Sequence, residues 1–205
     1  TPSLWKKRLA RVNCCNKILD YFNYLGDDWF GHIKIKIKGT SLNIFLNKKI
    51  LVYGLGKSGL STFKFLKNKS DIFLYDDFKL KIKNLDIKKN LISYKNISKL
   101  KFDQIILSPG IDINKCKLSN FLKKNLNKIY SDLDVFYAFY NNDCITITGT
   151  NGKSTTCQLM YKVLWNQKFD VKLVGNIGNP ILSVKNIRKK TIFVIEASSY
   201  QLEYS

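Results

Sequence analysis

The stretch ITITGTNGKSTT, Ile145 to Thr156, places two glycines, a lysine and several hydroxyl residues directly after an apolar run of strand length. Those residue types in that order suit a phosphate. A glycine-containing turn lets backbone N–H groups face an anion, and a helix beginning at about Ser154 adds its positive end. Lys153 then reaches the β- and γ-phosphates of a nucleotide, and the Ser154 hydroxyl is placed for Mg²⁺. The usual template, G-x-x-x-x-G-K-[ST], asks for a glycine where Ile147 stands, and Gly149 comes two residues later. An ordinary strand–turn–helix with a chance Gly-Lys-Ser is the bland alternative. It leaves the agreement of strand, turn, lysine, hydroxyl and helix without a cause.

Two further groups have chemical potential. GLGKSG, Gly54 to Gly59, fits the dinucleotide fingerprint G-x-G-x-x-G, with Asp76 at the end of the next apolar run. Taken alone it points to a nicotinamide dinucleotide, yet the glycines require only that some ligand, often a diphosphate, approach the turn. IEASSYQLE puts Glu196 at the end of another hydrophobic run. A carboxylate there can reach a metal held on loop-bound phosphates, although a solvent-facing glutamate is the commoner reading of such a residue in isolation.

The elements that must position these groups follow from the placement of glycine and apolar residues. Eight of eleven glycines fall in four short stretches, which follow or border the apolar runs 49–53, 103–107, 144–148 and 171–175, and two further runs, 71–75 and 191–195, lead into Asp76-Asp77 and Glu196. The runs are short, β-branched and not alternating, as in strands covered on both faces. Helical patterns lie between them, with Leu60, Phe63 and Leu66 on one face and Leu159, Met160, Val163 and Leu164 on another. Strand–helix alternation predicts an α/β fold with parallel sheets, whose ligands bind at the carboxyl ends of the strands. Residues 1–47 differ. A helix with Leu9, Val12, Ile18, Leu19 and Phe22 on one side is expected there, and HIKIKIKG (32–39) alternates like an exposed strand. His32, the only histidine, is expected to be a surface residue.

Composition sets the outer bounds. The 205 residues are 45% hydrophobic, enough for a core, and carry a net charge of +20. Nearly all of that charge is lysine. Arginine, the better residue for bidentate base and phosphate contacts, occurs three times, which weakens a nucleic-acid role. Five cysteines without C-x-x-C spacing argue against a disulfide framework or zinc site, and a reducing, cytoplasmic location is expected. No apolar run reaches the length of a membrane span.

The motifs together resemble the Mur ligases of peptidoglycan synthesis, from about Lys48 to Ser205. The shifted loop TGTNGKST is similar to that family's version of the phosphate loop. GNIGNP and EASSYQLE look like its D-glutamate-adding, MurD-type branch. The resemblance implies an ATP-dependent amide ligation through an acyl phosphate, with UDP-N-acetylmuramoyl-L-alanine and D-glutamate as substrates. It implies ATP contacts from Gly149, Thr150, Asn151, Gly152, Lys153, Ser154 and Thr155, metal contacts from Ser154 and Glu196, and catalytic roles for Lys153 and Glu196. Lys57, Ser58, Asp76, Asp77, Ser108, Pro109, Gly110 and Asn176 would line the nucleotide-sugar site. The domains implied are a leader of unknown role (1–47), a Rossmann-like UDP-substrate domain (48–141) and the first part of a P-loop ATP-binding domain (142–205). Where the branch usually shows a Thr-Arg-like pair after the second strand, this chain has Asp77-Phe78-Lys79. Later family ligands, a histidine and a modified lysine, fall beyond Ser205, so a truncated monomeric ligase, silent alone, is expected. A dinucleotide-dependent oxidoreductase and a basic nucleic-acid-binding P-loop protein are the competing readings. The first leaves the loop at 149–155 idle, and the second leaves Ser108-Pro109-Gly110, NIGNP and SSYQLE idle.

Overall fold

The computed structural model describes residues 33–36, 44–78, 84–198 and 201. The helix expected near the N-terminus, His32, and Lys79 lie outside the described residues. The chain divides into two compact units, each built around one four-stranded sheet.

The first unit runs from residue 44 to residue 140 and includes residues 178–186, Ser198 and Gln201. Its sheet is wholly parallel: β2 (Lys49–Tyr53) pairs with β3 (Asp71–Tyr75) on one side and β4 (Gln104–Leu107) on the other, and β4 pairs with β5 (Ile129–Tyr130). β2 and β4 are buried almost throughout, as a strand covered on both faces must be. Helix α1 (Lys57–Leu66) follows the glycine turn and buries Phe63 and Leu66, two of the three residues expected on its inner face; Leu60 is half-buried. Short helices α2 (Leu85–Asn90), α3 (Tyr94–Ile97) and α4 (Ser119–Lys123) fill the connections. Helix α5 (Asp132–Phe139) opens on a capping box: Ser131 Oγ accepts from the Asp134 N–H, and the Asp134 carboxylate accepts from the Ser131 N–H. A 3-10 turn at Ile181–Ser183 buries Ile181 and Leu182 and lies against α1 and α5.

The second unit has strand order β1 (Ile33–Lys36), β6 (Cys144–Ile147), β8 (Ile192–Glu196), β7 (Val171–Gly175). β6, β7 and β8 are parallel, with β8 in the middle. β1 falls within the segment expected to be an exposed strand and adds to the free edge of β6 in antiparallel sense. Helix α6 (Lys153–Asn166) packs on this sheet through Cys157, Met160, Tyr161 and Leu164. Leu159 departs from the expected face: it is 62% exposed, because the buried stripe runs through positions 157, 160, 161 and 164 and leaves 159 outside it.

The six expected buried strands lie within one residue of the observed ones, since buried parallel strands read as continuous β-branched runs. Among the described residues no helix is long and apolar enough to cross a membrane.

Candidate functional site

In the second unit the loop after β6 has the backbone that an anion site requires. Gly149 has φ 148° and Gly152 φ 75°, conformations that residues with a Cβ rarely adopt. Gly152 is the N-cap of α6, with no side chain capping that helix end. The first turn of α6 therefore lacks the side-chain acceptor that helix starts commonly recruit, and an anion is the natural partner for its N–H groups. The helix begins at Lys153, one residue ahead of the expected start. The Lys153 ammonium lies over the loop and donates to the carbonyls of Gly149 at 2.6 Å and Thr150 at 3.2 Å. Thr150, Asn151, Ser154 and Thr155 are all exposed around it.

Glu196 closes the other side of this site. It ends β8 in register with Ile147 of β6 and Gly175 of β7, so its carboxylate sits at the carboxyl edge of the sheet centre. Glu196 is 5% exposed, and its Oε2 has no hydrogen-bond partner; the same holds for the buried Thr148 Oγ1. A buried carboxylate oxygen without a donor is costly, and a cation or donor brought by a ligand removes that cost. Cys157, on the inner face of α6, has its thiol pushed up to about 12, mainly by burial and further by the Glu196 carboxylate, with Lys153 acting in the opposite direction. Lys153, Cys157 and Glu196 thus share one electrostatic neighbourhood. Among the described residues no three His, Cys, Asp or Glu converge on a point.

Asn176 follows β7 and is exposed; its N–H donates to the Glu196 carbonyl at 3.0 Å. The close approach depends on Gly175, which has φ 108° and whose added Cβ would meet the Glu196 carbonyl oxygen at 2.2 Å.

The strand order of the first unit reverses between β2 and β4, and ligands of open α/β sheets bind outside the carboxyl ends of the strands at such a point. Gly54 (φ 93°) turns the chain out of β2, and Ser108 at the end of β4 donates its hydroxyl to the Gly54 carbonyl at 2.7 Å. A Cβ on Gly59 would meet the Gly54 carbonyl oxygen at 1.8 Å, so this glycine lets α1 start against the turn. Asp76 is engaged by its own loops. Its Oδ2 accepts the Leu55 N–H at 2.6 Å and its Oδ1 the Phe78 N–H at 2.9 Å, which braces the glycine turn. Asp77 receives Lys117 at both its carboxylate and its carbonyl, while its Oδ1 and the nearby Tyr53 hydroxyl are buried without partners. Burial first, then Cys116 and Asp77, raises the Tyr53 phenol far above its ordinary range. Lys57 and Gly110 are exposed, and Pro109 is half-buried.

Two polar residues in this unit escaped the sequence reading. Asp132, in the first turn of α5, is 4% exposed and accepts the Ser58 hydroxyl, so that hydroxyl is turned inward. Gln201 donates its amide to Asp132 at 2.7 Å and walls a small cleft beside Ser108 and Pro109. Asp132 reads from sequence as an ordinary acid at a helix start. Gln201 belonged to a quoted motif but carried no role of its own.

Residues 48–129 match the family model described as Mur ligase MurD-like, N-terminal domain, and residues 147–205 match the Mur ligase middle domain. Curated relatives named UDP-N-acetylmuramoylalanine–D-glutamate ligase include proteins of Rickettsia felis and Rickettsia conorii. The first is 37% identical over 169 residues, covering 79% of this chain and 36% of that protein. The second is 40% identical over 169 residues, covering 79% of this chain and 33% of that protein. The chain thus spans about a third of the length of the curated relatives it matches. Matched over residues 48–129 and 147–205 by consecutive domain models of one family, the chain belongs to the Mur ligases.

Proposed function

We propose that this chain carries the nucleotide-sugar site and the ATP loop of a ligase that joins D-glutamate to UDP-N-acetylmuramoyl-L-alanine. The observation that carries this reading is the unpartnered pair Glu196 Oε2 and Thr148 Oγ1, buried beside a positive-φ glycine loop that starts a helix. The name borne by the relatives supports the choice of substrates.

In this reading Gly149, Thr150, Asn151, Gly152, Lys153, Ser154 and Thr155 hold ATP, and Ser154 and Glu196 hold Mg²⁺. The ion, when bound, spreads the charge of the β- and γ-phosphates. Lys153 exchanges its two loop carbonyls for phosphate oxygens. The N–H groups of the first turn of α6 take the remaining anionic oxygens, preset by the glycine conformations. The nucleotide sugar lies at the β2–β4 crevice, lined by Lys57, Asp77, Ser108, Pro109 and Gly110 and by the backbone of Ser58, whose hydroxyl is turned inward. Asp76 acts there through the shape of the turn, and Asn176 serves the reacting end. The terminal phosphoryl group passes from ATP to an oxygen of the alanyl carboxylate, and ADP leaves with the electron pair of the broken P–O bond. The D-glutamate amine then adds to that carbonyl carbon and gives up a proton, and inorganic phosphate departs with the bonding electron pair. The protein's part is to position reactants and stabilise charge.

A calorimetric titration of the 205-residue chain with UDP-N-acetylmuramoyl-L-alanine and with NAD⁺ tests the reading. Binding of the nucleotide sugar, weakening as salt rises, is expected. Preference for NAD⁺ would instead support the dinucleotide oxidoreductase.

A further inference from the structure

We propose that Asp132 is a positioning residue for the first unit's ligand crevice, fixing the start of α1 and the hydrogen-bonded pair Ser198 and Gln201 through a single buried carboxylate. This rests on the nucleotide-sugar reading of the crevice only for the identity of the ligand. Oδ2 of Asp132 accepts the Ser58 hydroxyl, and Oδ1 accepts the Gln201 amide at 2.7 Å. Gln201 is 3% exposed, and its own Oε1 accepts the Ser198 N–H at 2.9 Å and the Ser198 hydroxyl at 3.2 Å. The Gln201 N–H in turn donates to the Ser198 hydroxyl at 3.2 Å. A continuous chain of donors and acceptors therefore runs from the first turn of α1, through Asp132 and Gln201, to Ser198.

The chemistry requires a carboxylate at its centre. Ser58 and Gln201 both arrive as donors, and only a group with two acceptor oxygens satisfies both. Neither ion pair found among the described residues involves Asp132. A buried carboxylate held only by neutral donors is an expensive way to stabilise a fold, and apolar packing would do so at less cost. What the carboxylate supplies is direction. It turns the Ser58 hydroxyl inward, so the backbone N–H groups at the start of α1 are what face an incoming diphosphate. It also holds Gln201 against the cleft lined by Ser108 and Pro109. Asp132 touches no ligand in this arrangement; it acts through Ser58 and Gln201.

The test compares the whole chain with Asp132→Asn, Ser58→Ala and Gln201→Leu, first without ligand. Amide hydrogen exchange is followed at Leu60, whose N–H bonds Gly56, and at Ser198, whose N–H bonds Gln201. Asp132→Asn is expected to speed exchange at both by about tenfold or more while the β2 and β4 amides stay protected. Ser58→Ala should speed Leu60 alone, and Gln201→Leu should speed Ser198 alone. Unchanged exchange at Leu60 and Ser198 in the variants overturns the proposal, and if Asp132→Asn does not fold, the two flanking variants decide. With uridine diphosphate as probe, Asp132→Asn and Ser58→Ala should each bind about tenfold more weakly. The double variant should be no worse than either single one, and Mg-ATP affinity should be unaltered. Additive losses would show that the two residues act separately and would also overturn it. A wild-type chain that fails to bind uridine diphosphate counts against the proposed substrate, and the exchange comparison then decides the role of Asp132 by itself.

Discussion

Lys153 and Glu196 face the same loop with opposite charge, and their expected phenotypes differ. Lys153→Ala removes a charge-assisted contact to phosphate worth about 1.5–3 kcal/mol, so Mg-ATP affinity should fall about ten- to a hundredfold by calorimetry. Glu196→Gln keeps the shape but loses the charge that a cation meets. It should weaken ATP binding in the presence of Mg²⁺ and leave metal-free binding close to wild type. An equal loss with and without Mg²⁺ would argue against Glu196 as a ligand. Their positions were legible in sequence, Lys153 at the start of a helix after a glycine turn and Glu196 at a strand end. Asp76 was legible as an acid at a strand end, but its bonds to the neighbouring backbone were not. Its bond to the Leu55 N–H spans 21 positions, and nothing local distinguishes an acid that braces a turn from one that grips a ribose.

At the scale of elements, the strands were readable because their burial on both faces leaves little room for polar residues. The antiparallel pairing of β1 with β6 was not readable: alternation in the segment announces a strand but names no partner. The inward face of α6 was misread at Leu159, where an apolar residue stands outside the buried stripe. The helix starts differ in what satisfies them. α5 is closed by its own capping box, so Ser131→Ala should cost about 1 kcal/mol of unfolding free energy, measurable as a lower urea midpoint with unchanged slope. α6 has no side-chain cap, which leaves its N-terminal amides for a ligand.

Across the whole molecule, Asp132 ties stability to pH. Burial raises its carboxyl above the ordinary value of 3.8, although Ser58 and Gln201 pull the other way. The folded chain thus holds this proton more tightly than the unfolded one. Its contribution to stability is full below the ordinary carboxylate range and is lost as pH rises through the raised value. Melting curves of wild type and Asp132→Asn should therefore differ in slope against pH, the wild type losing ground to the variant as pH increases from acid toward neutral. Parallel profiles would place the ionisation elsewhere. The central claim is that this one chain provides two distinct anion sites, a uridine-nucleotide crevice at β2–β4 and an ATP loop after β6. Amide hydrogen exchange of the intact chain, alone and with each ligand, measures this most directly. UDP-N-acetylmuramoyl-L-alanine is expected to protect residues 54–60 and 108–111, and Mg-ATP to protect 149–157 and Glu196. Protection of 149–157 by the nucleotide sugar, with 54–60 unaffected, would contradict it.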